Sequence, residues 1–221
     1  MTERLSRARL SQMIAGGAAQ IREHHSMLSE LDSAAGDGDH GASMLRIVER
    51  LEKAFAADSS STAKSCFHDA GWAVLGTDGG ASSSLLGVFF LGMSDGIPEY
   101  ASVFDLDQLA VAFRSGLCAV REQSSAKLGD KTMMDSLIPA IDAFSAAAQA
   151  RKGIEVCLES AALAAQAGAE ETRNLIARHG RGRFLGEKAR GYLDPGATSV
   201  AFLFEGFYRG LLESKGETGN A

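Results

Sequence analysis

The chain has 221 residues and a formal net charge of -6, with a sequence pI near 5.4. That length buries one good-sized core, and nothing forces a second unit, so residues 1–221 are read as one domain. The acidic balance and the lack of a basic run exclude nucleic acid and anionic membrane as partners of this chain alone. No apolar run reaches the length of a membrane span, and none has the flanks of a secretory signal, so the expected location is cytoplasmic. Cys66, Cys118 and Cys157 are odd in number, far apart and set in apolar stretches. They read as small buried hydrophobes rather than disulfides or metal ligands.

An alanine-rich composition with three prolines and few β-branched runs favours helix throughout. Leu5, Leu10, Met13, Ile14, Ile21, Leu28 and Leu31 recur at helical spacing, which predicts a first helix over about 3–30. Met44, Leu45, Val48, Leu51 and Phe55 mark a second, ending at the serine cluster from Asp58 to Thr62. A third, over about 62–75, stops at Gly76-Thr-Asp-Gly-Gly80, and the almost wholly apolar stretch from Ala81 to Met93 reads as a buried fourth. Asp105 is the N-cap expected for a fifth helix through about Arg121. A sixth runs from Thr132 to about Ala150, with Pro139 predicting a kink or a later start. After Gly153 comes a long helix over about 154–178 and a loop over about 179–196 rich in arginine and glycine. A last helix over about 197–212 ends in a polar tail expected to fray. The sum is an all-α fold, a bundle or barrel of about eight antiparallel helices.

The chemistry concentrates in the loops. Asp32, Asp37 and Asp39 stand within a short stretch spaced by Gly36 and Gly38 and followed by His40 and Gly41. On a helix these side chains would diverge; a glycine loop lets them converge. Three carboxylates held together call for a hard cation, and oxygen-only donors select Mg²⁺ or Ca²⁺ over zinc. An EF-hand fails, because the twelfth position is Val48 counted from Asp37 and Ser43 counted from Asp32, where a Glu is required. A solvated turn is the bland alternative for the loop taken alone. Position along the chain favours a site. In an up-and-down bundle alternate loops share one end, and those at 32–41, 76–81, 124–131 and 179–196 are every second connection.

Gly79-Gly-Ala-Ser-Ser-Ser84 places a glycine pair and hydroxyls at a helix start, a natural seat for phosphate. Gly129-Asp-Lys-Thr132 offers a second helix start and lacks the pattern of a Walker A loop. Arg181, Arg183, Lys188 and Arg190 can neutralise phosphate charge, and Asp194-Pro-Gly196 precedes the last helix. Two Mg²⁺ set against three Asp and a nucleoside diphosphate leave a negative charge of about two, which one or two arginines offset. Together the loops describe a site for a Mg²⁺ nucleotide.

The set Gly36-Asp-Gly-Asp-His-Gly41, Gly79-Gly-Ala-Ser82, Gly129-Asp-Lys-Thr-Met133, Phe184-Leu-Gly-Glu187 and Asp194-Pro-Gly-Ala-Thr-Ser199 resembles the nucleotide-binding L-type subunit of dihydroxyacetone kinases, in order and over essentially the whole chain. The resemblance implies an all-α barrel of eight antiparallel helices holding ADP or ATP at one end. It implies that Asp32, Asp37 and Asp39 bind two Mg²⁺, and that His40, Gly41 and Ser43 line the nucleotide. Ala81, Ser82 and Thr132 would meet the phosphates, and Gly129 and Ile138 would border base or ribose. Arg181, Asp194 and Gly196 would complete the contacts from the far loop. The chain departs from the family where Ser83-Ser84-Leu85 replaces the usual Gly-Pro-Leu.

The resemblance also implies a reaction. A short ketose, dihydroxyacetone or a tetrulose, would be held covalently by a histidine of a separate K-type subunit, and this chain would phosphorylate it. The donor would be ATP, or bound ADP rephosphorylated by a phosphohistidine protein of the sugar phosphotransferase system. No protein nucleophile is required for such a transfer. The rival from another class is a nucleotide-state sensor that docks a transcription regulator; a metal-binding protein without nucleotide is the third reading. A second copy of the chain, giving a homodimer, is the remaining candidate partner.

Overall fold

The computed structural model describes residues 4–34, 36–56, 62–99 and 103–218. Helix boundaries follow capping chemistry that the sequence carries. α1 (Arg7–Ser33) begins after Ser6, whose Oγ accepts the Arg9 N–H at 3.3 Å. α2 (His40–Ala56) follows the Asp loop directly. α3 (Ala63–Leu75) starts after Thr62, which caps the Ser65 N–H. α4 (Gly80–Asp95) has only glycine at its N-cap. α5 (Leu106–Gln123) opens with a full capping box, Asp105 and Gln108 each satisfying the other's backbone N–H at 2.9 Å. α6 (Met134–Gln149), α7 (Ile154–Glu171) and α8 (Pro195–Thr218) complete the set.

Each helix packs on the next, and α8 returns to pack on α1, so these eight helices form a closed antiparallel ring. The interior is filled by aromatic rings in contact across it. Phe113 meets Phe144 edge-on at 5.0 Å and Phe204 at 5.6 Å, and Phe67 meets Phe55 at 5.0 Å. Phe67, Phe90, Phe113, Phe144 and Phe204 are fully buried. Each contributes about 1.5–3 kcal/mol of transfer free energy.

The ring closes through glycine. A Cβ on Gly16 would lie 2.2 Å from the Gly206 carbonyl oxygen, and one on Gly210 would lie 2.2 Å from that of Gln12. α1 and α8 therefore touch backbone to backbone. A related device joins α6 to α7. Pro139 has no N–H to give the Asp135 carbonyl four residues earlier, and Gly168 of α7 comes up against that oxygen, where a Cβ would sit 2.0 Å away. The helix continues through Pro139, with its start at Met134, two residues after Thr132.

Several expectations need correction. Cys66 and Cys157 are buried, but Cys118 is exposed. A short antiparallel ladder pairs β1 (Arg4–Ser6) with β2 (Val103–Asp105), joining the starts of α1 and α5 at the end away from the Asp loop. α7 ends at Glu171 rather than near 178, turning through a 3-10 segment at Thr172–Asn174. The loop over 179–196 holds a 3-10 stretch, Arg181–Ala189, broken at Gly186. α8 continues to Thr218, past the expected fraying point. Most of the serine cluster after α2 lies outside the described residues.

Candidate functional site: an acidic loop facing an uncapped helix start

Asp32 sits in the last turn of α1 and is buried, while Asp37 and Asp39 on the loop that follows are exposed. The turn is tight. The Gly38 N–H donates to Asp32 Oδ2 at 3.1 Å with Gly38 at φ +75°, and a Cβ on Gly36 would lie 2.6 Å from Asp32 Oδ1. Oxygens of the three carboxylates fall within 4.8 Å of one another. Arg181 enters from the far loop and supplies their counter-charge. It pairs closely with Asp37, reaches Asp39 at 3.4 Å and lies 4.0 Å from Asp32. The hydrogen bond from Arg181 holds the Asp37 carboxyl below the usual carboxylate range and raises the guanidinium in turn.

His40, the first residue of α2, is buried and bridges two other elements. Its Nε2 is 3.1 Å from Ser199 Oγ of α8, and its Nδ1 is 3.3 Å from Ser82 Oγ of α4. Burial lowers its pKa against the opposing pull of Asp32 and Asp39, so the ring is neutral near pH 7. Across from it, α4 begins without a side-chain cap and with Gly80 at φ +56°. Ser83 and Ser84 both donate to the Gly80 carbonyl, at 3.0 and 3.1 Å. They brace the first turn, whose earliest N–H groups have no acceptor within the helix.

Asp135 holds the third loop. Its carboxylate accepts the Gly129 N–H at 2.6 Å and the Thr132 N–H at 2.8 Å. Lys131, between them, is buried in the unusual conformation φ +58°. Its Nζ donates to the carbonyls of Thr172 and Tyr192, tying the end of α7 to the stretch before α8. Burial lowers the pKa of this ammonium. Asp194 caps α8 by accepting the Ala197 N–H at 2.7 Å, while its own N–H donates to Thr172 Oγ1 at 2.9 Å. The residue is half-buried, and protein crowded around its carboxyl pushes it up to about 7.

All four loops meet in one pocket of about 390 Å³. Of the residues singled out from sequence, Asp32, Asp39, His40, Ser43, Ala81, Ser82, Thr132, Arg181, Asp194 and Gly196 line it. Asp37 stands at the edge, joined through Arg181. Gly41 lies against α1, where a Cβ would meet the His25 carbonyl oxygen at 1.9 Å. Gly129 borders a separate apolar groove with Pro139 and Gly168, and Ile138 is in the core. Lys131, His179 and Tyr192 line the pocket without having been singled out. His179 is 3.2 Å from the buried Asp130, and this pair ties the arginine loop to the Gly129–Thr132 turn. The signal for Lys131 was present in Gly-Asp-Lys-Thr; nothing local marked His179.

Residues 34–209 match the model of the DAK2 domain. The chain belongs to this family. It is 34% identical over 185 residues to the ADP-binding subunit of PEP-dependent dihydroxyacetone kinase 1 from Listeria innocua, covering 84% of this chain and 87% of that one. It is 33% identical over 178 residues to the corresponding Escherichia coli subunit, covering 80% and 84%. It also matches L-erythrulose 1-kinase of Mycolicibacterium smegmatis, 35% identical over 191 residues, across 83% of this chain but only 32% of that longer protein. The fold is that of the dihydroxyacetone kinase of C. freundii in complex with AMP-PNP and Mg²⁺, with a TM-score of 0.69 at 24% identity, over 95% of this chain and 35% of that one. Among the described residues, no helix is long and apolar enough to cross a membrane.

Proposed function

We propose that this chain is the nucleotide-binding subunit of a dihydroxyacetone kinase, carrying ADP or ATP with Mg²⁺ and passing a phosphoryl group to a short ketose held on a separate K-type subunit. The observation that carries the reading is the pairing, across one pocket, of a triple carboxylate with an uncapped glycine start of a buried helix. One collects a hard cation; the other collects an anion. A Mg²⁺ nucleotide is both.

The donor set fits Mg²⁺ on its own chemistry. Asp32, Asp37 and Asp39 offer only oxygen, and in this structure they already gather a cationic group, the Arg181 guanidinium, into their midst. Held by Asp32, Asp37 and Asp39, Mg²⁺ would supply positive charge against the negative charge that develops on phosphate during transfer. The chain's own residues do the remaining work. The first amides of α4, that of Ser82 among them, and the hydroxyl of Thr132 orient phosphate, and Arg181 supplies positive charge from the long loop. Neutral His40 holds Ser82 and Ser199 in register rather than moving a proton. The ketose hydroxyl is the acceptor, so activation of the nucleophile falls to the partner.

The names of the relatives bear on the donor. Three that this chain matches over most of their length are ADP-binding subunits of PEP-dependent or PTS-dependent dihydroxyacetone kinases. This supports bound ADP rephosphorylated in place by a phosphohistidine protein over free exchange with ATP. The test is calorimetric titration of ADP and ATP into metal-free protein, with and without Mg²⁺. Tight binding of ADP only with Mg²⁺ is expected, and no binding under either condition would sink the proposal.

A further inference from the structure

Arg46 lies on the exposed face of α2, about two turns from its start. Its Nε–H donates to the Asp78 carbonyl at 2.9 Å, and an Nη2 N–H donates to Ser43 Oγ at 3.0 Å. Of these acceptors, Ser43 lines the pocket, and Asp78 immediately precedes Gly79 and Gly80, which line its other side. Ser43 follows the acidic loop in the first turn of α2, and Asp78 stands two residues ahead of Gly80, where α4 begins.

That glycine side has little to hold it. Gly79 fills the N-cap position of α4 with φ -157° and ψ 16°, makes no side-chain cap, and is followed by Gly80 at positive φ. A glycine pair has no preferred conformation of its own and loses the most entropy when fixed. Peptide planarity means that fixing the Asp78 carbonyl also fixes the direction of the Gly79 N–H. A charged donor on that carbonyl polarises the peptide as well, which strengthens the Gly79 N–H as a donor to an anion. On the first side, Ser43 Oγ accepts from Arg46 and so keeps its own O–H to give. Exposed arginines ordinarily contribute little. This one differs because it joins a pocket-lining serine to the peptide that leads into the pocket-lining glycine pair.

We infer that Arg46 is a positioning residue for the nucleotide phosphates, spanning from α2 to the glycine start of α4 and fixing the distance between the acidic loop and the phosphate seat. The inference rests on the nucleotide reading above. The test compares the unmodified chain with Arg46→Ala and Arg46→Lys for MgADP binding by calorimetry, for AMP binding by competition, and for melting temperature.

Arg46→Ala should weaken MgADP about tenfold, the effect of losing charge-assisted hydrogen bonds. AMP affinity and melting temperature should hold. Arg46→Lys, a point charge without the two-pronged fork, should fall between. Equal MgADP affinity in Arg46→Ala and the unmodified chain would overturn the inference. So would a parallel loss of ADP and AMP binding with a lowered melting temperature, which would make the residue merely structural. Failure of the unmodified chain to bind MgADP would instead overturn the reading on which the inference rests.

Discussion

Glycine does opposite work at two places in this molecule. Along the contact of α1 with α8, Gly16, Gly206 and Gly210 sit in ordinary helix and are there for what they lack, since any Cβ would enter a backbone on the other helix. In the Asp loop, Gly38 at φ +75° is there for the backbone shape it permits, which turns an amide onto Asp32. The first region is close-packed and contributes no residue to the pocket. The second collects charge and little packing. Stability and ligand binding are thus housed in separate parts of the ring, and substitutions should divide accordingly.

The largest effect on stability belongs to the seam. Gly206→Ala places a methyl 2.3 Å from the Gly16 carbonyl oxygen, and neither helix can yield without reopening the ring. A loss of about 3 kcal/mol is expected from overpacking against backbone. In a chain of this size that lowers the melting temperature by roughly 6–12 °C. Where enough folded protein remains, its MgADP affinity should be unchanged. A large fall in affinity with an intact melting temperature would show that the two regions are not separate.

The sequence made one of these regions far more legible than the other. Asp32, Asp37 and Asp39 announce themselves because carboxylates crowded among glycines conflict with any regular element, and a conflict of that kind stands out locally. Loop parity then brought four distant stretches to one end, and the pocket draws on all four. The seam has no such signal. Gly16 and Gly206 lie 190 positions apart in helices whose periodicity is complete without them. The early end of α7 is hidden for a related reason. The turn at Thr172 is made by tertiary bonds, from the Lys131 ammonium to its carbonyl and from the Asp194 N–H to its hydroxyl, which no window of local sequence contains. His179 gains its place only by meeting Asp130.

Asp194 stands between the two regions, capping a helix of the ring and lining the pocket. Its carboxyl is raised from 3.8 to about 7 in the folded protein. Between these values the folded state keeps a proton that the unfolded chain has released, so stability falls as pH rises through the window and levels off above it. Such a displacement is worth about 4 kcal/mol for a fully buried group, and access from the pocket reduces this to about 2 kcal/mol. Asp194→Asn retains an acceptor for the Ala197 N–H and removes the titration. Urea denaturation at several values between pH 5 and 8 should show the slope in the unmodified chain and a flatter line in the variant. Identical slopes would mean that Asp194 is ionised throughout.

The smallest effect on the fold is expected where the effect on binding is largest. Asp37 is exposed and belongs to no helix, and its main partner is the exposed guanidinium of Arg181. Asp37→Asn removes that pair but also relieves repulsion with Asp32 and Asp39, so the two changes oppose each other and the melting temperature without metal should hardly move. The same substitution takes one anionic oxygen donor from a site whose cation preference depends on charge. Mg²⁺-dependent ADP binding should therefore be lost by calorimetry, and added Mg²⁺ and ADP should no longer raise the melting temperature as they do for the unmodified chain. Marked unfolding of the metal-free variant would count against the division drawn here. It would mean that the Arg181 contact, and the loop it anchors, is part of what closes the ring.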